Sequence, residues 1–90
     1  MVKHRFLNAA KSADDFLETL PPKQYKQVVT KVWELRHNPR PHDSIKLTGL
    51  HNKYRTDIGE YRIIYTFNDS TVDIEAIGKR NDGEVYRKTK

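Results

Sequence analysis

The sequence predicts an α+β fold, a helical hairpin packed on a mainly antiparallel twisted sheet, in the order β-α-α-β-β-β. Three observations carry that expectation. Apolar residues recur at helical spacing through the first third of the chain. The apolar period switches to two after residue 44. Turn residues then separate the later runs into strands short enough to form a meander.

Residues 2–7 (VKHRFL) read as a short first strand at the sheet edge. The first helix runs from Ala9 to Leu20. Ala13, Phe16, Leu17 and Leu20 fall on one face, Asn8 is placed to cap its start, and Ser12 with Asp15 could form a capping box. Pro21-Pro22 ends that helix and opens the next, because proline fits a first turn and not an interior. The second helix spans Pro22 to His37. Its apolar stripe is Tyr25, Val28, Val29, Val32 and Leu35, and Asn38-Pro39 stops it. Trp33, beside the stripe, belongs to the core edge or to a partner contact.

Arg40 to Ser44 is a loop. Tyr54–Ile58 and Glu60–Phe67 read as strands separated by Gly59. Tyr61, Ile63, Tyr65 and Phe67 point one way, and Arg62, Ile64 and Thr66 the other. Asn68-Asp69-Ser70 is a hairpin turn. Thr71–Lys79 is the last strand, with Val72, Ile74 and Ala76 expected on the core face. Ninety residues suffice for one domain, taken as 1–90.

Composition narrows the function. The chain has no cysteine, which excludes a disulfide scaffold or zinc–thiolate site and suits a reducing cytoplasm. The start of the chain carries no apolar stretch of a secretory signal, and no run approaches the roughly 20 apolar residues of a membrane span. Histidines 4, 37, 42 and 51 have no metal-ligand spacing. No nucleophile elbow or glycine-rich phosphate loop is present, so no metal and no small-molecule cofactor is expected. Seventeen Lys and Arg against twelve Asp and Glu give a net charge of +5, which favours a polyanionic partner.

The placement of the charges is more informative. Arg55 and Asp57 share parity on one strand, and Arg62 lies opposite the aromatic core row of the next. The last strand exits into Lys79-Arg80, and Tyr86-Arg87 follow. Arginine's planar fork suits phosphate oxygens, and an aromatic among arginines can stack on a base or move a proton. The same residues are equally consistent with a solvated face whose arginines pair with Asp57, Asp73 and Glu75.

The stretches HNPRPHDSIKLTGL, KYRTDIGEYRIIYTF and IGKRNDGEVYR resemble the RelE/ParE toxin superfamily over nearly the whole chain. Asn38-Pro39, the turn with Lys46, Leu47 and Gly49, and the Gly59-to-Tyr65 strand are marks of the superfamily. Gly78-Lys79-Arg80 followed by Val85-Tyr86 is similar to its RNA-cleaving RelE branch. That resemblance implies a toxin of a type II toxin–antitoxin system that cleaves mRNA in the ribosomal decoding site. Its partners would be the ribosome, mRNA and a cognate antitoxin. It also implies catalytic roles for Arg62, Arg80 and Tyr86, with Arg55, Lys79 and Arg87 binding RNA. Asp57 departs from the pattern, since the matching position is usually basic. The resemblance leaves two alternatives: a ParE-like inhibitor of DNA gyrase, and an RNA-binding domain with degenerate chemistry.

Overall fold

The computed structural model describes residues 4–47, 49 and 52–80. Its elements are β1 (Phe6–Ala9), α1 (Lys11–Glu18), α2 (Pro22–Leu35), β2 (Ile45–Lys46), β3 (Tyr54–Ile58), β4 (Tyr61–Phe67) and β5 (Thr71–Lys79). They form a two-layer α+β fold, two helices on one face of a five-stranded sheet ordered β1-β5-β4-β3-β2. All neighbouring strands are antiparallel except β1 and β5, which run parallel. The first strand does lie at the edge, but it covers Phe6–Ala9 rather than residues 2–7. The predicted order omits β2, whose two residues are too short to leave a period in the sequence.

Helix starts differ from expectation at α1. β1 runs through Ala9, so Ala10 is the N-cap and makes no side-chain cap bond. Asn8 is thereby held in the strand, where its amide donates to the Asp73 carboxylate at 3.1 Å. Ser12 lies inside the helix, and Asp15 accepts from Lys11 at 2.9 Å in an i,i+4 pair rather than closing a capping box. α2 begins at Pro22 as expected and ends at Leu35, two residues before His37.

The core lies between the helices and the sheet. Ala13, Val28, Val32 and Leu35 pack against Tyr61, Ile63, Tyr65, Val72, Ile74 and Ile77. Of the predicted α2 stripe, Tyr25 is exposed, as is Trp33, whose ring carries the Arg36 guanidinium at 3.8 Å. Tyr65 ties the layers to the loop after α2: its buried hydroxyl donates to the Pro39 carbonyl at 2.6 Å. Burial pushes that phenol up to about 12. Nearby, Asp43 accepts from Lys31 at 3.0 Å and from Thr56 at 3.1 Å, joining α2, the loop and β3. Those two donors hold the Asp43 carboxyl below its usual range against the opposing effect of desolvation.

The β4–β5 ladder contains a one-residue irregularity. Ile64 pairs with Ala76, whereas Tyr65 pairs with Ile74, so Glu75 has no partner on β4. A bulge of this kind reverses the phase of side chains beyond it. Val72 and Ile74 face the helices before the bulge, and Ile77 does so after it. Ala76 is therefore on the opposite face from that expected. It packs there with Ile64 and Leu47 in a second, smaller cluster.

Replacing Tyr65 by Phe removes the only hydroxyl that reaches the buried Pro39 carbonyl among the described residues. Urea denaturation of Tyr65→Phe should show a loss of about 1–3 kcal/mol, the cost of an unsatisfied buried acceptor. A loss below about 0.5 kcal/mol, as at an ordinary surface site, would show that the bond does not clamp the loop.

Candidate nucleic-acid interface

The face of the sheet turned away from the helices collects the charges. Arg55 and Asp57 project there from β3, and Asp57 stands directly across from Arg62 on β4. Gly78 stands across from Arg62 on the other side and offers no side chain at that register. Beyond the bulge, Arg80 shares the phase of Ala76 and Gly78, so it reaches the same face. With an unbroken alternation from Val72 and Ile74 it would have pointed towards the helices.

The turn between β3 and β4 fixes the end of this face. Ile58 pairs with Tyr61, leaving Gly59 and Glu60 as a two-residue hairpin. Gly59 has φ +57°, a positive value that glycine adopts without strain and that the first position of a type II′ turn requires. A Cβ there would also sit 3.1 Å from the Gln27 side chain. The backbone N–H of Arg80 donates to the Glu60 carbonyl at 2.9 Å, which docks the end of β5 onto the turn.

Three guanidinium groups converge on the Asp57 carboxylate. Arg62 binds it through both prongs, Nε to Oδ1 at 2.8 Å and Nη2 to Oδ2 at 3.2 Å. Arg80 Nε lies 3.4 Å from Oδ2, and Arg55 Nη1 lies 3.9 Å from it. Arg55, on the same strand as Asp57, is therefore the most distant of the three. The Arg62 hydrogen bond, followed by the charges of Arg62, Arg80 and Arg55, holds the Asp57 carboxyl below the usual range despite desolvation. Arg62 has only 14% of its side chain exposed, whereas Arg80 has 55%. Arg62 is thus the enclosed member of the pair and Arg80 the open one.

A cleft of about 530 Å³ opens beside this cluster, lined by Gly59, Glu60, Arg62, Lys79 and Arg80. Lys79 borders it although its strand position, opposite Tyr61, places it on the helix side of the sheet. Arg55, Arg62 and Arg80 are therefore brought together, and Lys79 joins from the rim. Tyr86 and Arg87 lie outside the described residues. Among the described residues no group of His, Asp and Glu could hold a metal ion, and no helix is long and apolar enough to cross a membrane. Lys53, absent from the predicted site, pairs with the bulge residue Glu75. Its parity with Arg55 and Asp57 is the signal that points to it, hidden because the strand begins one residue later.

The architecture is that of a two-layer α+β domain with three arginines gathered around one carboxylate on its open sheet face. Residues 2–83 match the family described as the ParE toxin of the type II toxin–antitoxin system, parDE, and the chain belongs to this RelE/ParE superfamily of toxins. A double-arginine mutant of the E. coli toxin RelE in the free state is similar at 25% identity and a TM-score of 0.79, covering 96% of this chain and 94% of that one. The archaeal RelE–RelB complex from Pyrococcus horikoshii is 28% identical with a TM-score of 0.75, covering 90% and 98%. The toxin–antitoxin complex RelBE2 from Mycobacterium tuberculosis, at 24% identity and a TM-score of 0.75 over 91% and 98%, shares the fold. No curated sequence matches the chain closely enough to count as a relative.

Because the folded Asp57 carboxyl is depressed, its contribution to stability is complete above the unfolded value of about 3.9 and is lost as pH falls through the lower folded value. Chemical denaturation between pH 5 and pH 2 should therefore show a shallower acid limb for Asp57→Asn than for the parent. Identical acid limbs would mean that the carboxylate gains nothing from its arginines on folding.

Proposed function

We propose that the chain is a ribosome-dependent endoribonuclease that cleaves mRNA in the decoding site and so inhibits translation. The observation that carries this reading is the convergence of Arg55, Arg62 and Arg80 on one oxyanion at an open sheet face. Guanidinium forks that hold a carboxylate in two-pronged geometry have the donor arrangement for a phosphodiester. Similarity to RelE structures makes RNA the expected source of that phosphodiester.

The reaction would be attack of a ribose 2′-oxygen on its own 3′-phosphorus. The 2′-OH loses its proton, the new P–O bond forms, and the bond to the 5′-oxygen of the next nucleotide breaks. That oxygen takes up a proton, leaving a 2′,3′-cyclic phosphate and a 5′-hydroxyl. Arg62 and Arg80 would stabilise the extra negative charge of the phosphorane, and such electrostatic stabilisation usually lowers the barrier more than any other single effect. Arg55, Lys79 and Arg87 would hold the RNA backbone. Asp57 is a poor base, because its arginines stabilise the carboxylate. Proton transfer is assigned to Tyr86 on the resemblance to RelE-type toxins. A site with so few matched acids and bases would depend on the ribosome to bend the mRNA into line.

A second reading is favoured by the ParE family match: non-nucleolytic inhibition of DNA gyrase on the same fold. The two separate cleanly. Primer extension on a translated mRNA should reveal toxin-dependent breaks, and purified gyrase should supercoil DNA unimpeded. The opposite pair of results would replace the first reading by the second.

On saturated ribosomes, Arg62→Ala and Arg80→Ala should each slow single-turnover cleavage by roughly 10²–10³-fold, as loss of an oxyanion donor does elsewhere. Arg55→Ala should mainly raise the toxin concentration needed and flatten the salt dependence. Tyr86→Phe keeps a stacking ring and removes the proton. Cleavage by that variant at the parent rate would make Tyr86 a platform rather than an acid or base.

The toxin would act in the cytoplasm as one domain neutralised by a cognate antitoxin, as the RelB-bound neighbours suggest. Candidate contact points are Phe6 on the β1 edge, Ile45 on the β2 edge, and Tyr25 and Trp33 on α2, all exposed. Hydrogen exchange with and without antitoxin should show slowed exchange over 9–37 and 79–90. Unchanged protection in both segments would contradict a partner that wraps the hairpin and the chain end.

A further inference from the structure

We propose that the Asp57 carboxylate occupies the place an RNA phosphodiester takes in this site, so that nucleic acid binds by displacing it. The inference rests on reading the open face as an RNA site and names a brake built into that site. Asp57 engages Nε and Nη2 of Arg62 together, the fork that a phosphate would need. Arg80 and Arg55 lie within 4 Å of the same Oδ2. A phosphate gripped by these donors would share the cluster with a second anion unless the carboxylate gave way.

Displacement is sterically reasonable. Asp57 is partly exposed and its partner Arg80 more so. The cleft of about 530 Å³ borders Arg62 and Arg80, and Gly78 presents no side chain beside Arg62. The exchange has a functional consequence. Free RNA must compete with a carboxylate tethered in place, whereas mRNA held on the ribosome arrives at high effective concentration. Asp57 would therefore suppress binding of stray RNA while leaving the ribosome-held strand able to enter.

The test is binding of a non-cleavable 2′-O-methyl hexaribonucleotide to the full chain, to Asp57→Asn, and to Asp73→Asn as a charge-matched control. Asp73 pairs with Thr66 on the same face, towards the other end of β4. Asp57→Asn should bind about ten-fold more tightly, the scale of one charge-assisted contact restored to the ligand. Its slope of log K against log salt should steepen by about 0.7. Asp73→Asn should change affinity less than about two-fold, as removal of a charge outside the cluster would. Equal gains in both variants would reduce the effect to net charge and overturn the proposal. Weaker binding by Asp57→Asn would overturn it too, by making Asp57 a positioning residue that RNA relies on. If Asp57→Asn does not fold, titration of inorganic phosphate into the parent chain decides the matter. The Asp57 carboxyl carbon resonance should move together with Arg62 Nε, and a stationary carboxyl beside a shifted Arg62 would overturn the exchange. Absence of RNA binding in every protein, or of any phosphate-induced shift, would remove both this inference and the RNA reading. Binding as expected without ribosomal cleavage would remove the endoribonuclease reading alone.

Discussion

A strand that keeps strict alternation sends every second side chain to one face, and β5 does not keep it. Glu75 is the extra residue, and the phase on either side of it differs. The core depends on that slip, because it lets Ile74 and Ile77 both face the helices. The site depends on it equally. Ala76, Gly78 and Arg80 are turned to the open face by the same residue that returns Ile77 to the core. Lys53 pairs with Glu75, so the bulge is held by a charge from the β3 side of the sheet, two strands away. A bulge next to a functional face is a common way of re-aiming a side chain.

Gathering three arginines at one place creates repulsion that the fold must offset. Asp57 does so from between them, with Arg62 as its closest partner and Arg80 as the most exposed member. The two-residue Gly59-Glu60 turn and the backbone bond from Arg80 to Glu60 set the distance between β3 and the end of β5. Arg55, Asp57 and Arg62 therefore rest on the β3–β4 ladder, and Arg80, one residue past the end of β5, is tied to the turn through its backbone, so the donors are largely oriented before any ligand arrives. Fixed donors matter in electrostatic stabilisation, because groups already oriented need no reorganisation during the reaction.

Much of this is legible in the sequence, and the exceptions share a cause. The α2 core positions, the β4 alternation and the Asn68 turn are readable because each repeats a local rule. Asn68 Oδ1 accepts from the N–H groups of Ser70 and Thr71, as an Asx turn requires. The placement of Arg55 and Arg62 on one face follows from parity. The bulge does not, since a single extra residue leaves the average period of a nine-residue strand almost unchanged. The adjacent apolar pair Ala76-Ile77 is the one local sign of it. β2 is too short to read. The α1 cap is not legible because edge pairing with β5 holds Asn8 in the strand, a tertiary effect that no local pattern contains. Asp57 does pair with its arginines, and the cross-strand neighbour Arg62 lies closer than the same-strand neighbour Arg55 because the β3–β4 register sets Asp57 directly opposite Arg62.

In the proposed function, the open sheet face with its bulge-directed Arg80 is the surface that meets RNA. Backbone and guanidinium NMR shifts of the full chain, titrated with a 2′-O-methyl oligoribonucleotide, test this most directly. The shifts should concentrate on Arg55, Asp57, Arg62, Gly78 and Arg80 and saturate together. Shifts confined to the lysines of α2 (Lys23, Lys26 and Lys31), with the Asp57 cluster unmoved, would contradict it.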